Sequence, residues 1–437
     1  MSYTEANYEN ALIEVFRDTL SYNYLYGPDI SRDYSDAIYM DEFTPSLKRI
    51  NKDIPQSAIN ECINKLRNIE GGTLLDKNRI FMNYLQNGVS VNCFNNGNQE
   101  SYLVKLADYN CLEKNTFTIV NQWTIVENSE KRPDLILFLN GIPIVVFELK
   151  SPSREETSVS EAYNQLRNYM YEIPSLFNYN AFLVMSDLAV SKAGTITSSE
   201  DRFMEWKTKD GSYENTSYAQ FDTFIEGMFD KARLLDIIKN FICFSENSKI
   251  LSAYHQYFAV RKAIKSTLNA LESDGKAGVF WHTQGSGKSL SMLFYAHLLC
   301  ETINSPTILV LTDRNDLDDQ LFSQFSKCKD FLYQVPNKAE SREHLKKLLA
   351  GREANGIIFS TIQKFEESTE PLSERKNIII MADEAHRGQY GLDEKVDKNT
   401  GRISFGIARI IRDNFPNATY IGFTGTPISL KDRSTIE

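Results

Sequence analysis

The sequence Trp281-His282-Thr283-Gln284-Gly285-Ser286-Gly287-Lys288-Ser289 follows a short apolar run, 277–281, and opens a helix-like segment, 290–300. An apolar strand, a glycine-rich turn and the start of a helix, in this order, form the layout of a phosphate-binding loop. This layout predicts an α/β domain in which a strand delivers the loop and the N-terminus of the helix faces the phosphates.

The loop supplies the groups that a polyphosphate needs. Gly285 and Gly287 let backbone N–H groups turn inward, and Lys288 can reach the β- and γ-phosphates. The Ser289 hydroxyl can ligate Mg²⁺. The full pattern G-x-x-x-x-G-K-[ST] would have glycine where this chain has His282, so the match is to the inner part of the pattern. A glycine-serine turn with a surface lysine is the alternative interpretation of the loop alone.

Composition sets limits on the class of protein. The chain has 437 residues, of which 42% are hydrophobic and 24% charged, which is ordinary for two or three globular domains. No apolar run approaches the roughly 18 residues of a membrane span, and the N-terminus does not resemble a secretory signal. The net charge of −10 argues against a surface that coats nucleic acid, but it allows a local basic groove. We expect a cytoplasmic protein without membrane contact.

Two domains are expected, with a boundary near residue 250. Beyond it, strand-like apolar runs alternate with helical stretches, which predicts a parallel, doubly wound α/β domain over 251–437. The runs are 307–311, 356–360, 378–381 and 419–423.

The run 378–381 leads into Asp383-Glu384-Ala385-His386, at the carboxyl end of a predicted strand. Buried parallel strands deliver functional groups at this end. Asp383 would hold Mg²⁺ through its water shell, and Glu384 would orient the water that attacks the γ-phosphate. His386 would link the nucleotide site to its surroundings.

Together these segments resemble, in order and spacing, the first-half motifs of superfamily 2 DNA helicases and translocases. The resemblance implies that Gln256 contacts adenine, that Arg314 and Thr361 lie near DNA, and that Thr424 and Thr426 couple the nucleotide state to DNA. The fold alone is the alternative explanation for Gln256, Arg314 and Thr361. The ATP-binding set implied by the resemblance is Gln256, Gly285, Ser286, Gly287, Lys288, Ser289 and Asp383, with Ser289 and Asp383 as ligands of the ATP-bound Mg²⁺.

A second candidate site precedes this domain. The strands 135–139 and 142–149 are joined by Asn140-Gly141, a strong hairpin signal. Asp134 and Glu148 therefore flank the outer end of the hairpin, close enough to share a divalent metal, and carboxylate oxygens suit Mg²⁺. Lys150 falls on the face of Glu148 and can stabilise charge on a phosphate. The triplet E-x-K is common at strand ends, which is the alternative interpretation.

This arrangement is the PD-(D/E)xK nuclease pattern. A following helix carries Gln165 and Tyr169, and this Q-x-x-x-Y spacing accompanies the nuclease core in some helicase-linked nucleases. Such cores often place a glutamate on the first helix, where this chain offers Glu9 and Glu14. We favour Glu9, although a solvated helix face is the stronger interpretation of that residue.

A nuclease core over 1–250 with a connecting region, followed by a superfamily 2 motor, resembles the restriction (R) subunit of type I restriction–modification enzymes. The resemblance includes Trp281 to Ser289, with His282 at the position that departs from the general loop. It implies ATP and Mg²⁺ as cofactors, double-stranded DNA as substrate, and specificity and methylation subunits as partners. The open alternatives are a repair or anti-phage helicase–nuclease outside type I systems, an RNA helicase, and a non-catalytic assembly fragment.

Motors of this superfamily close ATP between two RecA-like lobes, and the second lobe supplies an arginine finger. The sequence ends at Glu437, shortly after Thr424-Gly425-Thr426-Pro427, so only the first lobe is expected here. We expect an N-terminal fragment that binds ATP weakly and does not translocate. Lys207, between the two predicted sites, is hypothesised to couple nuclease and motor.

Overall fold

A computed structural model describes the chain except for residues 1–4, 96–97, 151–158, 188, 213–220, 284, 314, 351–355, 366–369, 385–393, 397–402, 406, 426–428, 431–432 and 435–437. The chain forms two units, Met1–Tyr254 and His255–Glu437. The six cysteines are free thiols. Within the described residues, no helix has both the length and the apolar character required to cross a bilayer.

The first unit is organised by a mixed six-stranded sheet of order β1-β4-β7-β8-β9-β10. The pairs β1–β4 and β8–β9 are parallel, whereas β4–β7, β7–β8 and β9–β10 are antiparallel. The strands of this unit are β1 Asn23–Tyr26, β2 Val89–Asn95, β3 Asn98–Val104, β4 Phe117–Asn121, β5 Ile125–Val126, β6 Glu130–Lys131, β7 Leu135–Leu139, β8 Ile142–Leu149, β9 Phe182–Ser186, β10 Ser191–Gly194, β11 Ile242–Ser245 and β12 Ser248–Leu251.

The central hairpin β7–β8 forms as predicted. All residues of both strands are buried, which matches their continuous apolar sequence. Asn140 and Gly141 have φ values of 53° and 82°, the left-handed pair that a two-residue hairpin turn requires. A Cβ on Gly141 would lie 2.5 Å from the carbonyl oxygen of Tyr39, so the turn also packs too closely for a side chain.

Helices cover this sheet. They are α1 Glu5–Glu14, α2 Met40–Ile50, α3 Gln56–Arg67, α4 Leu74–Asn87, α5 Val159–Glu172, α6 Pro174–Asn178, α7 Phe221–Phe229 and α8 Lys231–Asn240. Helix α1 is followed directly by a π-helical turn, Val15–Thr19. Strand β4 ends at Asn121, because Gln122 has a φ of 55° and its backbone N–H turns to the carbonyl of Asp134.

The second unit contains a six-stranded sheet of order β13-β20-β17-β14-β16-β15, in which every pair is parallel. The predicted parallel α/β domain is therefore confirmed. Its strands are β13 Lys276–Trp281, β14 Thr307–Thr312, β15 Asn337–Lys338, β16 Gly356–Thr361, β17 Ile378–Asp383, β18 Glu394–Val396, β19 Ile403–Phe405, β20 Thr419–Thr424, β21 Ser429–Leu430 and β22 Arg433–Ser434.

The helices of the second unit are α9 Tyr254–Leu271, which begins at the last residue of the first unit, α10 Lys288–Thr302, α11 Asn315–Lys327, α12 Lys329–Leu332, α13 Arg342–Ala350 and α14 Ile407–Asn414. Because the sheet is parallel, the ends of β13, β20 and β17 lie at one edge. This edge carries the glycine-rich loop and the acidic pair of the sequence prediction.

Candidate nuclease and nucleotide sites

The outer end of the hairpin β7–β8 brings two carboxylates together. Leu135 pairs with Phe147, which places Asp134 opposite Glu148 in the same register. The backbone N–H of Leu149 donates to Oδ2 of Asp134 at 2.7 Å, which fixes that carboxylate against the end of β8. The tight Asn-Gly turn does not set this alignment alone: the register shifts by one residue between Leu137 and Phe138, and this irregularity moves Asp134 from the position opposite Phe147 to the position opposite Glu148.

Lys150 completes this cluster. Its Nζ lies 2.5 Å from Oε1 of Glu148 and also donates to the carbonyl of Leu149 at 3.1 Å. Glu148 is only 2% exposed, and a carboxylate at this depth requires a charged or hydrogen-bonded partner. Lys150 therefore supplies positive charge at the buried end of β8.

Helix α5 adds a tyrosine to the same cluster. The Tyr169 hydroxyl lies beside Gln165 and Glu148. Burial, followed by the negative charge of Glu148, raises the pKa of Tyr169 far above its usual value, so the phenol stays protonated and can donate. Gln165 and Tyr169 thus lie beside Glu148, where the sequence prediction expected them.

Helix α1 brings Glu9 to the same edge. Oε1 of Glu9 accepts from Nδ2 of Asn121 at 2.5 Å, and Oε2 accepts from Nε2 of Gln122 at 3.1 Å. The backbone N–H of Gln122 in turn donates to the carbonyl of Asp134 at 3.2 Å. Glu9 is therefore not on a solvated helix face, whereas Glu14 is exposed.

The donors of this cluster suit a hard divalent cation. Carboxylate oxygens of Asp134 and Glu148, with backbone carbonyls at the strand end, are the ligand type that Mg²⁺ prefers, and Mg²⁺ needs only one or two carboxylates because it keeps several waters. Among the described residues, no group of three or more His, Cys, Asp or Glu side chains is arranged to hold a metal.

The second cluster lies at the start of α10. Gly287 caps this helix with a φ of 82°, and the helix N-terminus is a favourable position for anionic groups. Nζ of Lys288 lies 2.8 Å from Oδ1 of Asp383 and forms a second ion pair with Glu384. The phosphate-loop lysine is therefore held by the acidic pair at the end of β17.

Burial raises the pKa of Asp383, and the positive charge of Lys288 opposes this effect. Glu384 has a φ of 47°, and its N–H donates to Oδ1 of Asp383 at 2.9 Å. A non-glycine residue in the left-handed region stores roughly 1 kcal/mol of strain. This turn directs the Glu384 side chain back toward Lys288.

The beginning of α9 contacts the glycine-rich loop. Nε2 of Gln256 donates to the carbonyl of Gly287 at 3.1 Å and lies 3.4 Å from that of Ser286. Nε2 of His255 lies 3.1 Å from the same Ser286 oxygen. Gln256, expected to contact adenine, thus supports the backbone of the loop in this structure.

His282 replaces the first glycine of the general pattern, and its ring is packed rather than free. The ring centroids of His255 and Phe280 lie 4.9 Å and 5.1 Å away. Burial, and then the nearby His255, lowers the pKa of His282 to about 4, so the ring is neutral at physiological pH. The backbone N–H of His282 donates to the carbonyl of Thr424 at 3.0 Å, which joins the ends of β13 and β20.

Comparisons with known proteins divide the chain in the same way. Residues 2–202 match the family described as type I restriction enzyme R protein N terminus, and residues 255–437 match the SWI2/SNF2 ATPase family. The chain thus carries the N-terminal domain of type I restriction enzyme R proteins followed by a SWI2/SNF2 ATPase domain. The resemblance stated from the sequence is thereby confirmed.

Two curated relatives carry corresponding descriptions. The type I restriction enzyme HindI endonuclease subunit of Haemophilus influenzae is 40% identical over 95% of this chain and 42% of its own length. A putative type I restriction enzyme MjaIXP endonuclease subunit of Methanocaldococcus jannaschii is 34% identical over 98% of this chain and 43% of its own length. The chain therefore spans less than half the length of these relatives.

A solved structure, the ATP-dependent Type ISP restriction-modification enzyme LlaBIII bound to DNA, matches 41% of this chain and 14% of its own chain at 15% identity. The TM-score is 0.27, which is too low to support a conclusion.

The remaining predicted site residues lie in different environments. Thr361 and Thr424 are buried at the ends of β16 and β20, and their proposed role toward DNA stays a prediction. Lys207 pairs with Glu205 at 2.8 Å, and its coupling role also stays a prediction. Ser289 is half-buried in the first turn of α10. Three predicted residues, Arg314, His386 and Thr426, lie outside the described residues.

Sequence reasoning missed the partners of Glu9. Asn121 and Gln122 hold its carboxylate, although they lie more than a hundred positions away in the sequence. The available signal was local: two consecutive amide side chains stand at the end of the buried strand β4, Asn121 as its last residue and Gln122 directly after it, at the same sheet edge as Asp134.

Proposed function

We propose that this chain is the nuclease and first motor portion of a type I restriction subunit, which hydrolyses ATP to translocate double-stranded DNA and cleaves it with Mg²⁺. The observation that supports this is the presence of two separate charged clusters on one chain. One joins Asp134, Glu148 and Lys150, and the other joins Lys288 to the Asp383-Glu384 pair. The descriptions of the curated relatives favour restriction over repair.

In the motor cluster, the phosphates of ATP would replace the acidic pair as the partner of Lys288. Without nucleotide, the ammonium of Lys288 is neutralised by Asp383 and Glu384. Phosphate oxygens of ATP would compete for this ammonium, and backbone N–H groups around Gly285 and Gly287 would hold the remaining phosphate charge. Release of Glu384 from Lys288 would then free its carboxylate to orient the attacking water. Ser289 and Asp383 would hold Mg²⁺ beside the phosphates.

In the nuclease cluster, Asp134 and Glu148 would hold Mg²⁺, with Glu9 supporting them. When bound, the ion would act as a Lewis acid on the scissile phosphate and lower the pKa of a water. Lys150 would stabilise the charge that develops on the phosphate oxygens. Tyr169, kept protonated by its surroundings, would hold the Glu148 carboxylate in place through a hydrogen bond.

The implied partners are specificity and methylation subunits, which would supply recognition of the DNA sequence, and the proposed location is the cytoplasm. The net charge of −10 makes extensive contact between this chain and DNA unfavourable, which supports an arrangement in which other subunits provide much of the DNA contact.

Cleavage of a plasmid by the full-length subunit with its partners, in the presence of ATP and Mg²⁺, tests this proposal. Asp134→Ala should abolish cutting and leave ATP hydrolysis intact, because it alters only the nuclease cluster. Lys288→Ala should abolish ATP hydrolysis, translocation and therefore cutting. If Asp134→Ala still cuts, the nuclease assignment is wrong, and if Lys288→Ala still hydrolyses ATP, the motor assignment is wrong.

A further inference from the structure

Three buried hydroxyl groups form a chain behind the nuclease cluster. The Tyr8 hydroxyl lies 2.5 Å from Oγ of Ser186, and this Oγ lies 2.7 Å from Oγ of Ser191. Ser186 also donates to the carbonyl of Val190 at 3.1 Å. Tyr8 has no exposed surface, and Ser186 and Ser191 are each only 2% exposed. The chain of hydroxyls is therefore shielded from water.

The Ser186 hydroxyl has three buried neighbours within hydrogen-bond distance: the hydroxyls of Tyr8 and Ser191, either of which can donate or accept, and the carbonyl of Val190, which can only accept. A serine hydroxyl has one proton to donate and two lone pairs to accept with, so it can satisfy all three neighbours. Loss of the Tyr8 hydroxyl would remove one partner from this buried group.

Both ends of the Tyr8–Ser186 bond belong to elements of the nuclease cluster. Ser186 is the last residue of β9, where it pairs with Leu149, and its carbonyl accepts the backbone N–H of Lys150 at 2.9 Å. Tyr8 lies next to Glu9 on α1. The bond therefore ties the helix that carries Glu9 to the strand that holds the backbone of Lys150.

Apolar packing alone would not set the rotation of α1, because the hydrophobic effect is non-directional. The Tyr8 ring packs edge-on against Phe221, with centroids 5.3 Å apart, but a ring contact of this kind allows the helix to shift by a fraction of a turn. A hydrogen bond between fully buried groups has a preferred length and angle. The bond to Ser186 thus restricts where Glu9 can point.

We propose that Tyr8 and Ser186 are positioning residues of the nuclease metal site, which set the place of Glu9 relative to Asp134, Glu148 and Lys150. This inference rests on the proposed nuclease function. Outer residues that orient ligands typically contribute about 10- to 100-fold to metal affinity, even though they do not touch the ion.

Binding of Mn²⁺, as a paramagnetic substitute for Mg²⁺, tests this inference on the 437-residue chain without nucleotide. Free Mn²⁺ is measured by electron paramagnetic resonance, and the binding lost in Asp134→Ala defines the nuclease site. We expect Tyr8→Phe to weaken this site about tenfold. Ser186→Ala should have a similar effect, and the double variant should be no worse than either single variant, since both remove the same bond.

Tyr179→Phe is the matched control, because it removes another buried tyrosine hydroxyl of the first unit, one that donates to the carbonyl of Leu66 at 2.9 Å. Native Mn²⁺ affinity in Tyr179→Phe together with weakened affinity in Tyr8→Phe and Ser186→Ala supports the positioning role. Equal affinities for Tyr8→Phe, Tyr179→Phe and the unchanged chain overturn it. If Asp134→Ala binds Mn²⁺ normally, the nuclease metal site itself is wrong. This outcome differs from the failure of the positioning role alone, in which Asp134→Ala loses binding but Tyr8→Phe does not.

Discussion

The substitution Gly287→Ala, at the start of α10, tests the structure of the glycine-rich loop. It adds one methyl group, and the neighbours of Gly287 allow the resulting change in stability to be calculated. The φ of Gly287 is +82°, which alanine adopts only with strain. A Cβ at this position would lie 2.4 Å from Nε2 of Gln256, far inside van der Waals contact. That amide nitrogen is also the donor that supports the carbonyls of Ser286 and Gly287.

The expected loss in the free energy of unfolding has two parts. Left-handed backbone costs alanine about 1 kcal/mol. Displacement of the Gln256 amide removes its two hydrogen bonds to the loop, at about 1 kcal/mol each. Gly287→Ala should therefore destabilise the second unit by roughly 3 kcal/mol in the absence of nucleotide.

Urea unfolding of the nucleotide-free chain, followed by the fluorescence of Trp281, measures this loss, since Trp281 is the only tryptophan after residue 254. Gly285→Ala is the matched control: Gly285 has nearly the same φ, +85°, but a Cβ there would meet nothing within 4 Å. We expect that variant to lose only about 1 kcal/mol. Because Gly287→Ala already removes the Gln256 hydrogen bonds, Gln256→Ala should add little further loss to it. Equal losses at Gly285 and Gly287, or fully additive losses for Gly287→Ala and Gln256→Ala, would refute the reasoning.

Two further predictions concern pH. Burial lowers the pKa of Lys249 well below its usual value of about 10.5. At pH values between the lowered pKa and about 10.5, the unfolded chain therefore binds a proton that the folded first unit does not bind. Stability should rise with pH there, and Lys249→Met should flatten this slope in urea titrations followed by far-ultraviolet circular dichroism; an unchanged slope would contradict the lowered pKa of Lys249. Because the pKa of His282 falls from 6.5 to about 4, stability of the second unit should decline as pH drops through that interval. His282→Gln should reduce this decline, and an identical pH profile in thermal unfolding would count against the packed neutral ring.

Local sequence signals predicted much of the fold. Asn140-Gly141 predicted the two-residue turn and so the proximity of Asp134 and Glu148, but their direct alignment also depends on a one-residue register shift between Leu137 and Phe138 that the sequence analysis did not anticipate. The alternation of strands and helices after residue 254 similarly predicted the parallel sheet and the edge that joins Lys288 to Asp383.

Contacts between distant segments were not predictable. Tyr8 and Ser186 are separated by 178 positions, and neither residue carries a local signal that identifies the other. The end of β4 depended on the left-handed backbone of Gln122, a residue type that seldom adopts this conformation. The hydrogen bond from the Gln256 amide to the loop carbonyl of Gly287 was not anticipated either, whereas the role of Gln256 at adenine stays a prediction.

The most direct test of the nuclease claim compares cutting with ATP hydrolysis in one reaction for Asp134→Asn in the full-length subunit with its partners. Asparagine retains an oxygen that can accept the N–H of Leu149, so the end of the hairpin keeps its hydrogen bond while the metal loses a charged ligand. We expect ATP turnover close to that of the unchanged enzyme and DNA cutting reduced by at least about 100-fold. Cutting that stays proportional to ATP turnover in this variant would contradict the assignment of Asp134 to the nuclease site.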